Sequence, residues 1–239
     1  MNIICKECGI EFIQGCKGSV NNKCPKCQKK YNSQYYQNHK LRIQEQVKVY
    51  QKNNKKEVFL MIHKQFYDNN IVCCRHCGKT DIDILTIDHI NGGGKQHSEV
   101  IGRGSHFYQW LKKEKTIENY QILCMNCQRI KVIENKECYI KNPTDERLKL
   151  RPVVAKCYQK LKIMVIAHYS NNTNQCKICG CNDIRCLQID HVNNDGVTHR
   201  KILKSHMFQH LKTLNFPNNP PLQVLCANCN LKKKIVNSK

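Results

Sequence analysis

Apolar residues occur along the chain in short, bounded runs. Leu85-Thr-Ile-Asp88-His89 and Leu187-Gln-Ile-Asp190-His191 alternate apolar and polar side chains, which predicts two strands each covered on one face. Gln121-Ile-Leu123 and Gln223-Val-Leu225 predict a second, shorter pair. Stretches of helical period cover Glu57 to Tyr67, Phe107 to Lys113, Val153 to Tyr169 and Phe208 to Leu214. Gly, Asn and Asp follow each of the first strands and predict a turn and a polar loop, and a basic terminal helix follows each second strand. No apolar run approaches membrane-spanning length, and no N-terminal segment has the character of a signal peptide.

The two sets of elements are copies. Cys74-x-x-Cys77 and Cys176-x-x-Cys179 head segments that match at a constant offset of 102. Asp88-His89-Ile90-Asn91 corresponds to Asp190-His191-Val192-Asn193, His97 to His199, and Cys124-x-Asn126-Cys127 to Cys226-x-Asn228-Cys229. Between the cysteine pairs the register slips by two and recovers, Gln109 and Leu111 matching Gln209 and Leu211. Upstream, Tyr67 and Asn69 fall opposite Tyr169 and Asn171. The chain therefore divides into a ribbon at 1–30, a basic helical segment at 31–55, module 1 at 56–134, a connector at 135–151 and module 2 at 152–239. Asn142-Pro143 and Arg151-Pro152 bracket the connector, and Pro152 suits the first turn of a helix.

Twelve of the 18 cysteines form six Cys-x-x-Cys pairs. That spacing lets two thiolates of one tight turn take two corners of a tetrahedral zinc, so six pairs make three closed, structural sites. They are Cys5, Cys8, Cys24 and Cys27 in the ribbon, Cys74, Cys77, Cys124 and Cys127 in module 1, and Cys176, Cys179, Cys226 and Cys229 in module 2. Fifteen residues with three glycines separate the ribbon's pairs, which suits two knuckles joined by a short hairpin. Such usage points to reduced thiols in an intracellular compartment. Of the rest, Cys73 and Cys181 adjoin knuckles, a position open to an alternative ligand, while Cys16, Cys138, Cys157 and Cys186 read as buried free thiols.

The formal charge is +22, from 40 Lys+Arg against 18 Asp+Glu. Twelve thiolates and three zinc ions lower it to about +16, still a strong excess that favours a polyanion. Nucleic acid is the expected partner, through counterion release, although a Lys-rich codon bias accounts for part of the excess. Tyr31-Asn-Ser-Gln-Tyr35-Tyr36-Gln-Asn-His-Lys40 and the related Tyr50-Gln-Lys-Asn-Asn-Lys55 place Tyr36 and Tyr50 about four helical turns apart. One face of a helix thus repeats Tyr with Lys, fit for phosphates. A solvated basic helix without a partner reads equally from the same residues.

Each Asp-His pair fits what phosphodiester hydrolysis demands. A neutral imidazole, His89 or His191, can take a proton from water. A carboxylate with an amide oxygen, Asp190 with Asn230, suits a hard divalent ion beside the phosphate. These residues resemble the HNH nuclease family, in its zinc-stapled form, across both repeats. The resemblance implies an α+β chain of small zinc-stabilised modules, a zinc ribbon and basic helix followed by two tandem ββα-metal modules. It implies a DNA endonuclease with His89 and His191 as general bases. It further implies Asp88, Asp190 and Asn230 as ligands of a catalytic Mg2+ or Mn2+.

Module 1 departs from the family pattern where Gln128 stands in the place of Asn230. The longer side chain displaces the amide oxygen, so module 2 is the expected working site and module 1 is impaired or grips DNA. His97 and His199, in the loops after the Asp-His pairs, read as phosphate or metal contacts or as structural hydrogen-bonding residues. The recurring Asn91, Asn193, Asn126 and Asn228 read as backbone-ordering residues. Lys40, Lys55, Lys131, Lys232, Lys233 and Lys234 are the expected nucleic-acid contacts. A single-chain pseudo-dimer on double-stranded DNA, monomeric and without a membrane partner, fits the repeat. The alternatives are a non-catalytic nucleic-acid-binding zinc protein, structural or ribosome-associated, derived from such a nuclease, and, last, a zinc-dependent transcription factor.

Overall fold

The structure is a computed structural model that describes residues 2–13, 22–114, 117–135, 145–203 and 206–237. Cys16, Cys138 and Asn142-Pro143 lie outside them. The chain splits into two compact units, Met1–Lys55 and Lys56–Lys239.

In the first unit, β1 (Asn2–Ile4) pairs antiparallel with β2 (Glu11–Ile13), and Cys5 and Cys8 lie in the turn between them. The second cysteine pair is built differently from a hairpin knuckle: Cys24 immediately precedes α1 (Pro25–His63), and Cys27 lies in that helix's first turn. Pro25 at the head of the helix has no N–H to leave unpaired, and its fixed φ suits that position. The 39-residue α1 absorbs the whole basic segment and runs on into module 1. Along it Tyr31, Tyr35, Tyr36 and Tyr50 are exposed, and Tyr35 stacks on His39 with ring centroids 4.2 Å apart. Helix α1 ends at His63, short of Tyr67, because the chain turns there: the ring of buried His63 stacks on Tyr67 and its Nε2 bonds Asn69 Oδ1 at 3.0 Å.

Module 1 continues with β3 (Leu85–His89), α2 (Gly94–Ile101), α3 (Ser105–Glu114), β4 (Tyr120–Cys124) and α4 (Met125–Glu134). Module 2 repeats the order: α5 (Asp145–Tyr169), β5 (Leu187–His191), α6 (Gly196–Ile202), α7 (Met207–Thr213), β6 (Leu222–Cys226) and α8 (Ala227–Asn237). The two hairpins have the same register, Asp88 facing Gln121 and Asp190 facing Gln223. Helix α5 starts at Asp145, so Pro152 lies inside it and not in its first turn. Polar stretches expected as loops are the short helices α2 and α6. Helix α2 buries none of its residues, so no core position marks it.

Module 1 buries one small core and module 2 buries two adjoining clusters. Val58, Phe59 and Ile62 of α1 close on Leu85, Leu111, Ile122 and Leu123 in module 1. Ile166 of α5 closes on Leu187, Val224 and Leu225 in module 2, while Val165 packs with Phe208 and Leu211. Cores of this size need a staple, and the cysteine clusters are built into them: Cys74, Cys124 and Cys127 belong to the first, Cys176, Cys226 and Cys229 to the second.

The modules join through α4 and α8 by a reciprocal pair of hydrogen bonds. The N–H of Asn126 donates to Asn228 Oδ1 at 3.0 Å, and the N–H of Asn228 donates to Asn126 Oδ1 at 2.9 Å. Each asparagine thereby satisfies a first-turn amide of the other module's helix, one of the groups that a helix cannot bond internally. Asn126 also donates to Cys181 Sγ at 3.7 Å. Lys232 pairs with Asp81 at 2.6 Å and Arg185 with Glu134 at 2.5 Å, and Ile130 of α4 packs against the core of module 2. The asparagine exchange is symmetric and the ion pairs are not: at the offset of 102, Lys232 answers to Ile130 and Glu134 to Val236. Among the described residues no helix is long and apolar enough to cross a membrane.

Candidate active sites and metal centres

Three four-cysteine clusters can hold zinc, the four sulfurs of each lying within 4.8 Å of one another. In all three, a glycine follows the first Cys-x-x-Cys with positive φ: Gly9 at 71°, Gly78 at 71° and Gly180 at 69°. Glycine adopts that conformation without steric cost and lets the chain curl back over the sulfurs. Four crowded thiols cannot all ionise without a cation. In the ribbon, the N–H of Cys24 pulls Cys5 down to about 6, while the neighbouring Cys8 thiol pushes Cys27 up to about 12. A divalent ion removes that conflict. Cys186 is buried as expected, whereas Cys157 is exposed on α5, where its helix face meets no core.

The other constellation is built at the end of each module's first strand. Strand alternation places Thr86 and Asp88 on one face and Leu85, Ile87 and His89 on the other. Asp88 is buried, and its Oδ2 accepts from Gln121 Nε2 at 2.8 Å and pairs with Lys131 Nζ at 2.9 Å. Lys131 also donates to the carbonyl of His89 at 2.5 Å. Module 2 repeats every contact. Asp190 Oδ2 takes Gln223 Nε2 at 2.8 Å and Lys233 Nζ at 2.6 Å, and Lys233 donates to the carbonyl of His191. Lys131 and Lys233 thus point inward and tie the last helix to the Asp-His strand. Lys40 and Lys234 are exposed, and Lys55 is half-buried.

His97 and His199 sit on the helices α2 and α6 and bring an imidazole to each Asp-His pair. His89 Nε2 bonds His97 Nδ1 at 2.8 Å, and His191 Nε2 bonds His199 Nδ1 at 2.6 Å. Gly94 and Gly196 start those helices against the first histidine. A Cβ at either would lie 2.9 Å from the histidine's Nδ1. That separation is within hydrogen-bonding range, so glycine leaves open a place where a water oxygen can meet Nδ1. Burial lowers the pKa of both His89 and His191 and the second imidazole lowers it further, against the charge of Asp88 at the first and of Asp195 and then Asp190 at the second. Both rings are therefore neutral at neutral pH.

The surroundings differ. In module 1, His89 stacks on Phe107, His97 meets Trp110 edge-on at 4.8 Å, and Tyr120 Oη lies 3.2 Å from His97 Nδ1. A cavity of about 330 Å³ opens there, lined by His89, Asn91, Gly92, His97, Asn119 and Tyr120. In module 2 the positions of Trp110, Asn119 and Tyr120 hold His210, Pro221 and Leu222. Gln128 is engaged, accepting from Thr86 Oγ1 at 3.3 Å. Asn230 is half-buried, and its side chain bonds no other described residue.

Sequence reasoning passed over Gln121, Gln223, Gly94 and Gly196. Their signal was present, since each pair is identical at the offset of 102. Compared with protein-family models, curated proteins and solved structures, the chain matches none.

Proposed function

We propose that this chain is a metal-dependent, HNH-type endonuclease that hydrolyses phosphodiester bonds in double-stranded DNA, with module 2 as its working site. One observation carries the reading: a neutral, desolvated histidine beside a carboxylate held by Gln and Lys is built twice, with the same partners each time. His191 Nε2 shares a hydrogen bond with His199 Nδ1, and in the tautomer with the proton on Nε2 the Nδ1 lone pair faces the space beside Gly196. There it accepts a proton from the attacking water. Lys233 fixes both the carboxylate and the main chain of the base, so the imidazole is held in one orientation.

Asp190 Oδ1 and the amide oxygen of Asn230 are hard donors of the kind Mg2+ or Mn2+ prefers. Bound there, the ion supplies positive charge against the oxygen that departs. In module 1 the equivalent Gln128 is tied to Thr86. The charge of +22 and the exposed, Tyr- and Lys-bearing helix α1 support DNA as the polyanion. The reduced thiols of the three clusters support an intracellular setting.

A second reading keeps the nucleic acid and drops the cutting. It is favoured by the ammonium of Lys233, which already neutralises Asp190. Plasmid relaxation in Mg2+ or Mn2+, with bound zinc followed throughout, separates the two. Nicking or linearisation by the wild type, lost in zinc-replete His191→Ala, is the expected outcome. Salt-sensitive DNA binding without any cleavage under every divalent ion hands the chain to the binding-protein reading.

A further inference from the structure

Helix α1 carries a row of aromatic rings outside the buried cores. Tyr31 and Tyr35 are 45% and 48% exposed, with ring centroids 6.3 Å apart and planes 28° from parallel. The ring of His39 continues the row, 4.2 Å from that of Tyr35 and 24° from parallel. Residues four apart stand one above the next on a helix, so the three rings rise along one side of α1. Arg42, exposed and about three turns beyond Tyr31, falls on the same side.

The row is ordered from both ends. Lys23 sits 4.1 Å over the ring of Tyr31 and pairs with Glu7 at 2.8 Å. His39 Nδ1 donates to the main-chain carbonyl of Tyr35 at 2.9 Å. Cys27, in the first turn of α1, belongs to the ribbon's cysteine cluster, so a metal held there anchors the helix that carries the rings. Rings arranged before a ligand arrives lose little freedom on binding it.

The charge around the row has one sign. From Pro25 to Lys56 the helix carries Lys and Arg throughout against the single acid Glu45. Exposed aromatic faces in a positive field suit a polyanion that presents flat rings of its own, and a single-stranded nucleic acid does so. In a duplex the base faces are stacked on one another, and only base edges and phosphates line the grooves. An acidic peptide would answer the charge and leave the rings without partners.

We propose that Tyr31, Tyr35, His39 and Arg42 form a stacking platform for the unpaired bases of single-stranded DNA or RNA, with the lysines of α1 on the phosphates. These residues belong to the first unit and to neither Asp-His constellation, so the proposal does not rest on cleavage. It gives α1 an unpaired strand as its partner, beside the duplex of the nuclease reading.

The test is fluorescence anisotropy with the zinc-loaded full chain, without Mg2+ or Mn2+. The probes are a labelled oligothymidylate and oligouridylate of about 15 nucleotides, and a duplex of the same length. Tyr35→Leu keeps an apolar, helix-favouring residue and removes the ring. It should weaken binding of the single strands by roughly five- to a hundredfold, with duplex affinity, zinc content and helical circular dichroism unchanged. The slope of affinity against salt should also stay, because the phosphate contacts remain. Whichever single strand the wild type binds more tightly names the source, DNA or RNA. A wild type that binds neither single strand overturns the platform, as does a variant that binds them as the wild type does. Equal loss on strand and duplex overturns it too, and assigns the rings to the stability of the helix. Selective loss in a chain that never cuts DNA upholds the platform and removes only the nuclease reading.

Discussion

Modules 1 and 2 share a frame and differ in what the frame faces. The frame is the set of internal hydrogen bonds: Gln and Lys on the aspartate, a second histidine on the first, and a glycine against its Nδ1. These contacts agree between the modules to within a few tenths of an ångström. The lining has diverged, with Trp110, Asn119, Tyr120 and Gln128 in one module standing where His210, Pro221, Leu222 and Asn230 stand in the other. Buried polar groups tolerate little change because losing one partner strands the other, whereas groups that face a ligand can change with the ligand. Duplication has kept one frame and changed the side chains that line it.

The severest way to break the comparison is to remove a staple. Cys226→Ser should unfold module 2 and lower bound zinc from three to two, since structural zinc sites contribute on the order of 10–16 kcal/mol. Because α4 rests on α8, hydrogen exchange should also show α4 loosened, and an unaffected α4 would mean that the modules are independent. Next comes the base. His191→Ala should lower nicking by about 10²- to 10⁴-fold, and His89→Ala by less than about tenfold if module 1 mainly grips; the reverse order would exchange their roles. Gly196→Ala, which sets a Cβ against His191 Nδ1, should cost roughly 10²-fold in rate at unchanged zinc content. Gly94→Ala should leave the rate near that of the wild type.

Smaller effects probe the junction and the proton. Asn126→Ala and Asn228→Ala should each destabilise by about 1–3 kcal/mol in chemical denaturation. The double variant should cost less than their sum, because each half of the pair serves the other. The acid limb of the cleavage profile should have its midpoint below the ordinary histidine value of 6.5, as burial depresses the pKa of His191. The same shift makes the fold's stability fully present above 6.5 and weaker as pH falls through 6.5 towards the depressed value. A midpoint above 6.5 would assign the limb to another group.

The residues alone determined the repeat, the three cysteine clusters, the paired strands and the recurrence of the Asp-His pairs. All of these depend on local spacing, and spacing is written in the chain. The short helices α2 and α6 escaped notice because each is only two turns long, and their starts lie at the glycines that pack against His89 and His191. His97 and His199 could be marked as recurrent but not given partners, since a hydrogen bond between side chains on a strand and on a helix depends on how the two pack. Lys131 and Lys233 look like surface cations in any list of basic residues. Only the packing of α4 and α8 against the hairpins turns them onto Asp88 and Asp190. The reciprocal asparagine lock likewise belongs to the tertiary structure, because the cost of a buried polar group is defined only once the fold has removed its water.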